Sequence, residues 1–231
     1  MLLVAQDWKI VWQDEFNGNE LSGWSLWPDN KKHFNAQNSL KSVRVEDGKL
    51  KIKVFTENGK HYSAAISTEN SFRAKYGRWE AKVKLNTPSG AYTDFWLYSR
   101  KMTDKKPSGH EIDIFEHRKV DSDNKDISDL IICGVHSNGY EENHSYEGYT
   151  TPNLNINNNW HIFGLEWNDK EYIFFIDGIL IHKIKKTTDE NLFPIFSVEV
   201  RNNFWCGPVL SEYNVDVLEV DWIRYYKKVE K

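Results

Sequence analysis

The chain has 231 residues, carries a net charge of -4 at neutral pH, and is 39% hydrophobic and 14% aromatic. That length suits a single large β domain over residues 1–231 with a sizeable core. The mild acidity, with no long run of like charge, excludes a nucleic-acid footprint and an electrostatic pull toward membrane surfaces, and no segment approaches transmembrane length.

Taken in chain order, Met1-Leu-Leu-Val-Ala-Gln6 is apolar but too short to span a membrane or to form a complete signal core, so it reads as the remnant of a trimmed secretion signal or as a lead-in strand. Trp27 to Ser42 is a long polar loop. From Gly48 to Phe55, Leu50, Ile52 and Val54 alternate with lysines; from Arg78 to Leu85, Trp79, Ala81, Val83 and Leu85 alternate with charged residues. Period-two alternation predicts half-exposed strands. Lys101 to Ser108, Val120 to Asp129 and Ser137 to Asn159 read as further loops, the last following an apolar strand over Leu130 to Val135. Tyr172 to Ile176, the Asp177-Gly178 pair and Ile179 to Ile184 predict a hairpin closed by a primed turn. Convincing helical periodicity, linkers and repeats are all missing from the pattern. Many short strands therefore predict an all-β, two-sheet antiparallel sandwich. Cys133 and Cys206 form either one bridge or two buried free thiols. The 10 Trp, 11 Tyr and 12 Phe exceed what the core of such a domain needs, so some rings should line a binding surface.

The run Gly109-His-Glu-Ile-Asp-Ile-Phe-Glu-His117 threads three acids through an apolar strand. Residues i and i+2 share a face, so Glu111 and Asp113 point the same way and Glu116 points away. A bulge across Ile114 and Phe115 would absorb one residue and return Glu116 to the face of the other two. Two glutamates about four strand steps apart can bring their carboxyls within about 5 to 6 Å, the spacing of a retaining glycosidase. Three acids so close cannot all ionise freely, so their pKa values must separate. By the same parity His110 and His117 face away from the acids.

Glu111-Ile-Asp-Ile-Phe-Glu116 resembles the bulged catalytic motif of glycoside hydrolase family 16, shared by its laminarinase-like and galactan-cleaving branches. Val11-Trp-Gln-Asp-Glu-Phe-Asn-Gly18 with Trp24, Val45 to Leu50, Tyr76 to Ala81, Phe95-Trp-Leu97, Trp160-His161, Leu165 to Trp167, Ile176 to Gly178 and Val220 to Tyr225 agree in order and spacing. The resemblance implies a β-jelly roll with a concave substrate cleft. It implies Glu111 as nucleophile, Asp113 as helper hydrogen-bonded to Glu111, and Glu116 as acid/base. It also implies substrate contacts from Trp96, Trp205, His136, Trp27 and Arg201, with Asn35 or Asn38 replacing the asparagine that relatives carry where this chain has Ser42. Trp24 falls either in the cleft or in the core. Arg201, Asn202 and Asn203 depart from the family's small residues. No cofactor is required, and Gly48 and Asp221 match positions that supply a structural calcium.

The expected activity is endo-hydrolysis of β-1,3 or mixed β-1,3/1,4 glucans by a secreted, periplasmic or cell-surface monomer whose partner is a polysaccharide or oligosaccharide. An endo-β-galactanase acting on agar-, porphyran- or keratan-type chains, and a non-catalytic glycan-binding jelly roll, are the alternatives.

Overall fold

The computed structural model describes residues 8–28, 32–152, 154–201 and 206–229. The lead-in over residues 1–6 and Trp205 lie outside the described residues. Seventeen strands form among them: β1 (Trp8–Asp14), β2 (Ser25–Leu26), β3 (Lys32–His33), β4 (Ala36–Asn38), β5 (Val43–Glu46), β6 (Lys49–Glu57), β7 (Lys60–Ser67), β8 (Gly77–Leu85), β9 (Ala91–Tyr98), β10 (His110–His117), β11 (Ile132–Ser137), β12 (Ser145–Thr150), β13 (Trp160–Trp167), β14 (Tyr172–Ile176), β15 (Ile179–Ile184), β16 (Phe193–Val200) and β17 (Asn214–Lys228). Two short 3₁₀ turns, Leu40–Ser42 and Arg100–Thr103, interrupt the strands.

Two layers follow from the pairing. The outer layer runs β15-β14-β13-β8-β17, and the long β17 then pairs with β6 along its first half and β1 along its second. The inner layer runs β12-β11-β10-β9-β16-β7-β2. β7 belongs to both: Lys60, His61 and Tyr62 pair with β6, while Ala64 to Ser67 pair with β16. The ladders are antiparallel, except that β4 lies parallel to β7.

The alternation read from the sequence is what joins the layers. In β6 and β8 every second residue, Leu50, Ile52 and Val54 and then Trp79, Ala81, Val83 and Leu85, is fully buried, while the lysines and arginines between them face out. Trp79 packs among Tyr225, Phe72 and Trp12, with centroids 4.6, 5.8 and 6.3 Å away. The predicted hairpin forms with its predicted bounds, and Asp177 and Gly178 both take the positive φ (52° and 75°) that a primed turn demands. Cys133 and Cys206 are buried free thiols. Two expected loops are corrected: the short strands β3 and β4 lie inside Trp27–Ser42, and β12, the longest of the three, lies inside the Ser137–Asn159 stretch. It is an edge strand whose side chains stay wet on both faces, so it carries no apolar alternation to read.

β9 and β16 are buried along their whole length. One face of each, carrying Phe95 and Leu97 or Phe196 and Val198, packs into the core between the layers. The other carries Tyr92, Asp94 and Trp96 or Ser197 and Glu199, and forms the floor of the concave side.

Candidate active site

The register of β10 explains how three acids come together. Against β9, Asp113 pairs with Trp96, Phe115 with Phe95 and Glu116 with Asp94, so Ile114 is the extra residue of a bulge. Against β11 the register breaks in the same interval. Without that extra residue Glu116 would lie opposite Thr93 and point into the core. With it, Ile114 and Phe115 are both buried in the core, and Glu116 rejoins Glu111 and Asp113 on the concave face. His117 takes the place opposite Thr93, where its Nδ1 meets Thr87 Oγ1 at 2.7 Å and its Nε2 meets the Ser128 carbonyl at 2.7 Å. His110 is buried on the same side, 2.9 Å from the Tyr172 hydroxyl. Both histidines face away from the acids, as parity requires.

Cross-strand pairs build the floor outward from β10. Asp113, Trp96 and Ile195 lie side by side, as do Glu116, Asp94 and Ser197. The Trp96 indole N–H donates to Ser197 Oγ at 3.0 Å, and that hydroxyl donates to Asp94 Oδ2 at 3.0 Å, so the tryptophan is fixed by a chain of two hydrogen bonds. Trp27 meets Trp96 edge-on at 5.0 Å and Tyr98 at 5.2 Å, forming a wall over a small apolar cluster of Ala65, Tyr98, Met102, Phe193 and Ile195. Arg201 completes the far side, its guanidinium 4.2 Å from the Phe34 ring and 4.7 Å from the Tyr92 ring, paired with Glu199.

Burial dominates the electrostatics. It pushes Glu111 up to about 7, aided by repulsion from Glu116, while a hydrogen bond from the Tyr140 hydroxyl opposes the rise. Asp113 is driven well above the usual carboxylate range by burial and then by Glu116 and Glu111. Glu116 is also raised by burial, against the pull of the Tyr92 hydroxyl, which donates to its Oε1 at 2.6 Å. Asp94 is raised by burial and by Glu199 and Glu116. Five carboxyls, Asp94, Glu111, Asp113, Glu116 and Glu199, thus line one cleft with Arg201 as the cation among them. Burial favours the neutral forms of Asp94, Glu111, Asp113 and Glu116, and repulsion among them separates their ionisation, as general acid/base chemistry needs.

Most predicted contacts converge here: Trp27, Trp96 and Arg201 line the cleft with the three acids. His136 pairs with Glu111 across the ladder and lies on the same face, its Nε2 3.6 Å from Asp113 Oδ2 and 4.0 Å from Glu111 Oε1. Burial lowers His136 to about 4, so it is neutral at pH 7. The expected hydrogen bond from Asp113 to Glu111 is replaced by the bond from Tyr140; Asp113 Oδ2 makes no hydrogen bond and has His136 Nε2 as its polar neighbour. Asn35 sits instead in a separate depression with Ala36, Gln37, Lys60 and His61, and its neighbour Phe34 takes the cleft position. Asn38 is buried and ties down the Trp27 segment through the Trp27 and Pro28 carbonyls at 3.1 and 2.7 Å. Trp24 is a core residue, stacked on Phe196. Ser42 is buried away from the cleft.

Of the residues expected for calcium, Asp221 already holds a cation: its Oδ2 accepts from the Lys82 ammonium at 2.8 Å. Glu111, Asp113 and His136 bring donors within 4.8 Å of one another, but burial holds both acids toward their neutral forms, which are poor ligands.

Tyr92, Asp94, Glu199 and Tyr140 also line the cleft, and Ser197 braces it, without a signal in strand parity. Asp94 was legible in principle: it stands two residues before Trp96 in an apolar strand, the same oddity as the acidic run.

A sequence model described as glycosyl hydrolases family 16 matches residues 30–224. The clotting factor G alpha subunit of Tachypleus tridentatus is 27% identical over 95% of this chain, which spans only 34% of that protein's length. A beta-glucanase of Rhodothermus marinus is 25% identical over 98% of this chain and 87% of its own. The catalytic domain of an endo-1,3-beta-glucanase (laminarinase) from Thermotoga petrophila RKU-1 shares the fold with a TM-score of 0.79 at 22% identity, covering 97% of this chain and all of that one. With the bulged acidic strand and its cleft, the match over residues 30–224 means that this chain belongs to glycosyl hydrolases family 16.

Proposed function

We propose that this protein is a retaining endo-β-glucanase, secreted or held at the cell surface, that cuts internal β-1,3 or mixed β-1,3/1,4 bonds. The observation that carries the reading is the bulge at Ile114, which sets Glu111, Asp113 and Glu116 on one face of an open, aromatic-walled cleft. The β-glucanase and laminarinase names borne by relatives support the choice of substrate. An extracellular site suits a polymeric substrate.

In the first step the Glu111 carboxylate attacks the anomeric carbon while the Glu116 carboxyl gives its proton to the departing glycosidic oxygen; a covalent glycosyl-enzyme and a shortened chain result. Glu116, now a carboxylate, takes a proton from water, whose oxygen displaces Glu111 and restores the β-configuration. Asp113, whose burial favours its neutral form, lies between them and limits the charge that the pair must hold. Trp27 and Trp96 offer flat apolar faces to sugar rings.

The two tyrosines give opposite tests. Tyr140 stabilises ionised Glu111, so Tyr140→Phe raises the pKa of the nucleophile and moves the acid limb of kcat/KM up by about one pH unit. Tyr92 stabilises ionised Glu116, so Tyr92→Phe moves the alkaline limb up by a similar amount, about one unit. The first substitution narrows the pH profile and the second widens it; shifts of the wrong limb in both variants would exchange the two roles.

Product analysis on laminarin, mixed-linkage glucan, xyloglucan, agarose and keratan tests the substrate. Release of oligosaccharides with retained anomeric configuration from the β-glucans is expected. Turnover of galactans alone would move the protein to the galactanase reading, and binding without new reducing ends would leave a lectin.

A further inference from the structure

Tyr146, on the edge strand β12, plays no part in the chemistry above, yet the sheet has been cleared to receive it. Its partner in the ladder is His136, and Gly148 pairs with Gly134, so all four lie on the concave face beside Glu111 and Asp113. A Cβ at Gly148 would fall 2.1 Å from the Tyr146 hydroxyl and 2.4 Å from its Cζ; one at Gly134 would fall 2.7 Å from Cε2 and 2.9 Å from the hydroxyl. The ring therefore lies across two glycines, close to bare backbone. Neither glycine has a positive φ, so neither is needed for backbone freedom. What they supply is room for a flat ring. The His136 ring braces it at 4.5 Å, and the fields of Glu116 and Asp113 reach it. Even so, Tyr146 remains 47% exposed, which leaves the outer face of the ring open to a ligand.

We propose that Tyr146 is a stacking platform for the sugar on the leaving side of the scissile bond, the first residue of the departing chain and of an acceptor in the reverse reaction. The inference rests on the endo-glycanase reading and extends it. The aromatic wall of Trp27, Trp96 and Phe34 stands on the β9 and β16 flank of the acids, whereas Tyr146 stands on the opposite flank beyond β11. A chain crossing the strands over β10 must lie on both flanks. If the wall holds the glycone, Tyr146 meets the aglycone. A pyranose presents a CH-rich face that matches an exposed ring, and the edge position lets a long chain leave without threading.

Two substrates separate the flanks: laminarin, which places sugars on both, and 4-nitrophenyl β-laminaribioside, whose leaving group is not a sugar. Tyr146→Ala is expected to lower kcat/KM on laminarin about tenfold more than on the aryl glycoside, and to raise the KM for laminaribiose as acceptor by about tenfold. Tyr146→Phe keeps the ring and should stay within about threefold of wild type on laminarin. Gly148→Ala, which leaves Tyr146 in place but pushes the ring off the strand, should reproduce most of the Tyr146→Ala effect without changing the unfolding temperature beyond that of an ordinary edge substitution. Equal losses on the two substrates would put Tyr146 on the glycone flank, and no loss on either would leave it a surface residue; both results overturn the proposal. Inactivity of the wild type on glucans would instead strike the functional reading, and the same pair of substrates in the galactan series would then decide the role of Tyr146.

Discussion

Glu111→Gln is expected to abolish turnover of laminarin, with kcat down by on the order of 10⁴-fold or more, while the protein keeps its fold and its affinity for the polymer. The amide is close in shape to the carboxyl, can still accept from Tyr140, and removes only the charge that attacks carbon. Glu116→Gln should fall by roughly 10²- to 10⁴-fold on the same substrate, the range for loss of a general acid. The loss should shrink on substrates whose leaving group needs no proton. Azide distinguishes the two positions. In Glu111→Gly a small anion can enter the space of the lost side chain and displace the aglycone once, giving an α-glycosyl azide; in Glu116→Ala it attacks the covalent intermediate and gives the β-azide. Reversed stereochemistry would exchange the roles of Glu111 and Glu116, and rescue of neither, with both variants folded, would remove the double-displacement mechanism.

That these two positions could be chosen from sequence rests on the rigid period of a strand. Glu111 and Asp113 share parity, Glu116 does not, and a bulge is the cheapest repair; the register break around Ile114 is where that argument puts it. The same logic turned His110 and His117 away from the cleft. Loops have no period, and there the reading failed by small amounts with large consequences. Asn35 was expected at the sugar, but Phe34, with φ of +56° and a bridge to Val200, takes the cleft position. Tyr140 was invisible because nothing in Ser137 to His144 indicates which side chain folds back over Glu111. β12 was invisible for another reason: an edge strand over a cleft is wet on both faces and shows no alternation. Asp94 and Glu199 stand out as acids in apolar strands, but β9 and β16 are buried on both faces, so the pattern does not say which face is the cleft.

The acids that make the site also weaken the fold, and that predicts a stability effect of opposite sign to the catalytic one. Glu111 rises from 4.5 to about 7 on folding, chiefly because burial penalises its charge. At pH below 4.5 the carboxyl is neutral in both states and its folded form carries no penalty. As pH climbs from 4.5 toward 7 the unfolded chain ionises first, and stability drains away until the folded carboxyl ionises too. At about 1.4 kcal/mol per unit the full loss is roughly 3 kcal/mol, an order-of-magnitude figure. Asp113, more deeply buried and beside both glutamates, adds a loss of the same sign. Glu111→Gln and Asp113→Asn carry no such charge. Thermal unfolding of wild type and variants should therefore coincide most closely near pH 4, and the variants should pull ahead as pH rises, with the gap for Glu111→Gln levelling off above pH 7. Parallel curves across that range would mean that Glu111 ionises in the folded protein as readily as in water, and the cleft would then be wetter than its burial implies. A widening gap would tie the dead enzyme to the more stable one through a single proton, because the environment that restrains the nucleophile's charge is the environment that burying it disturbs.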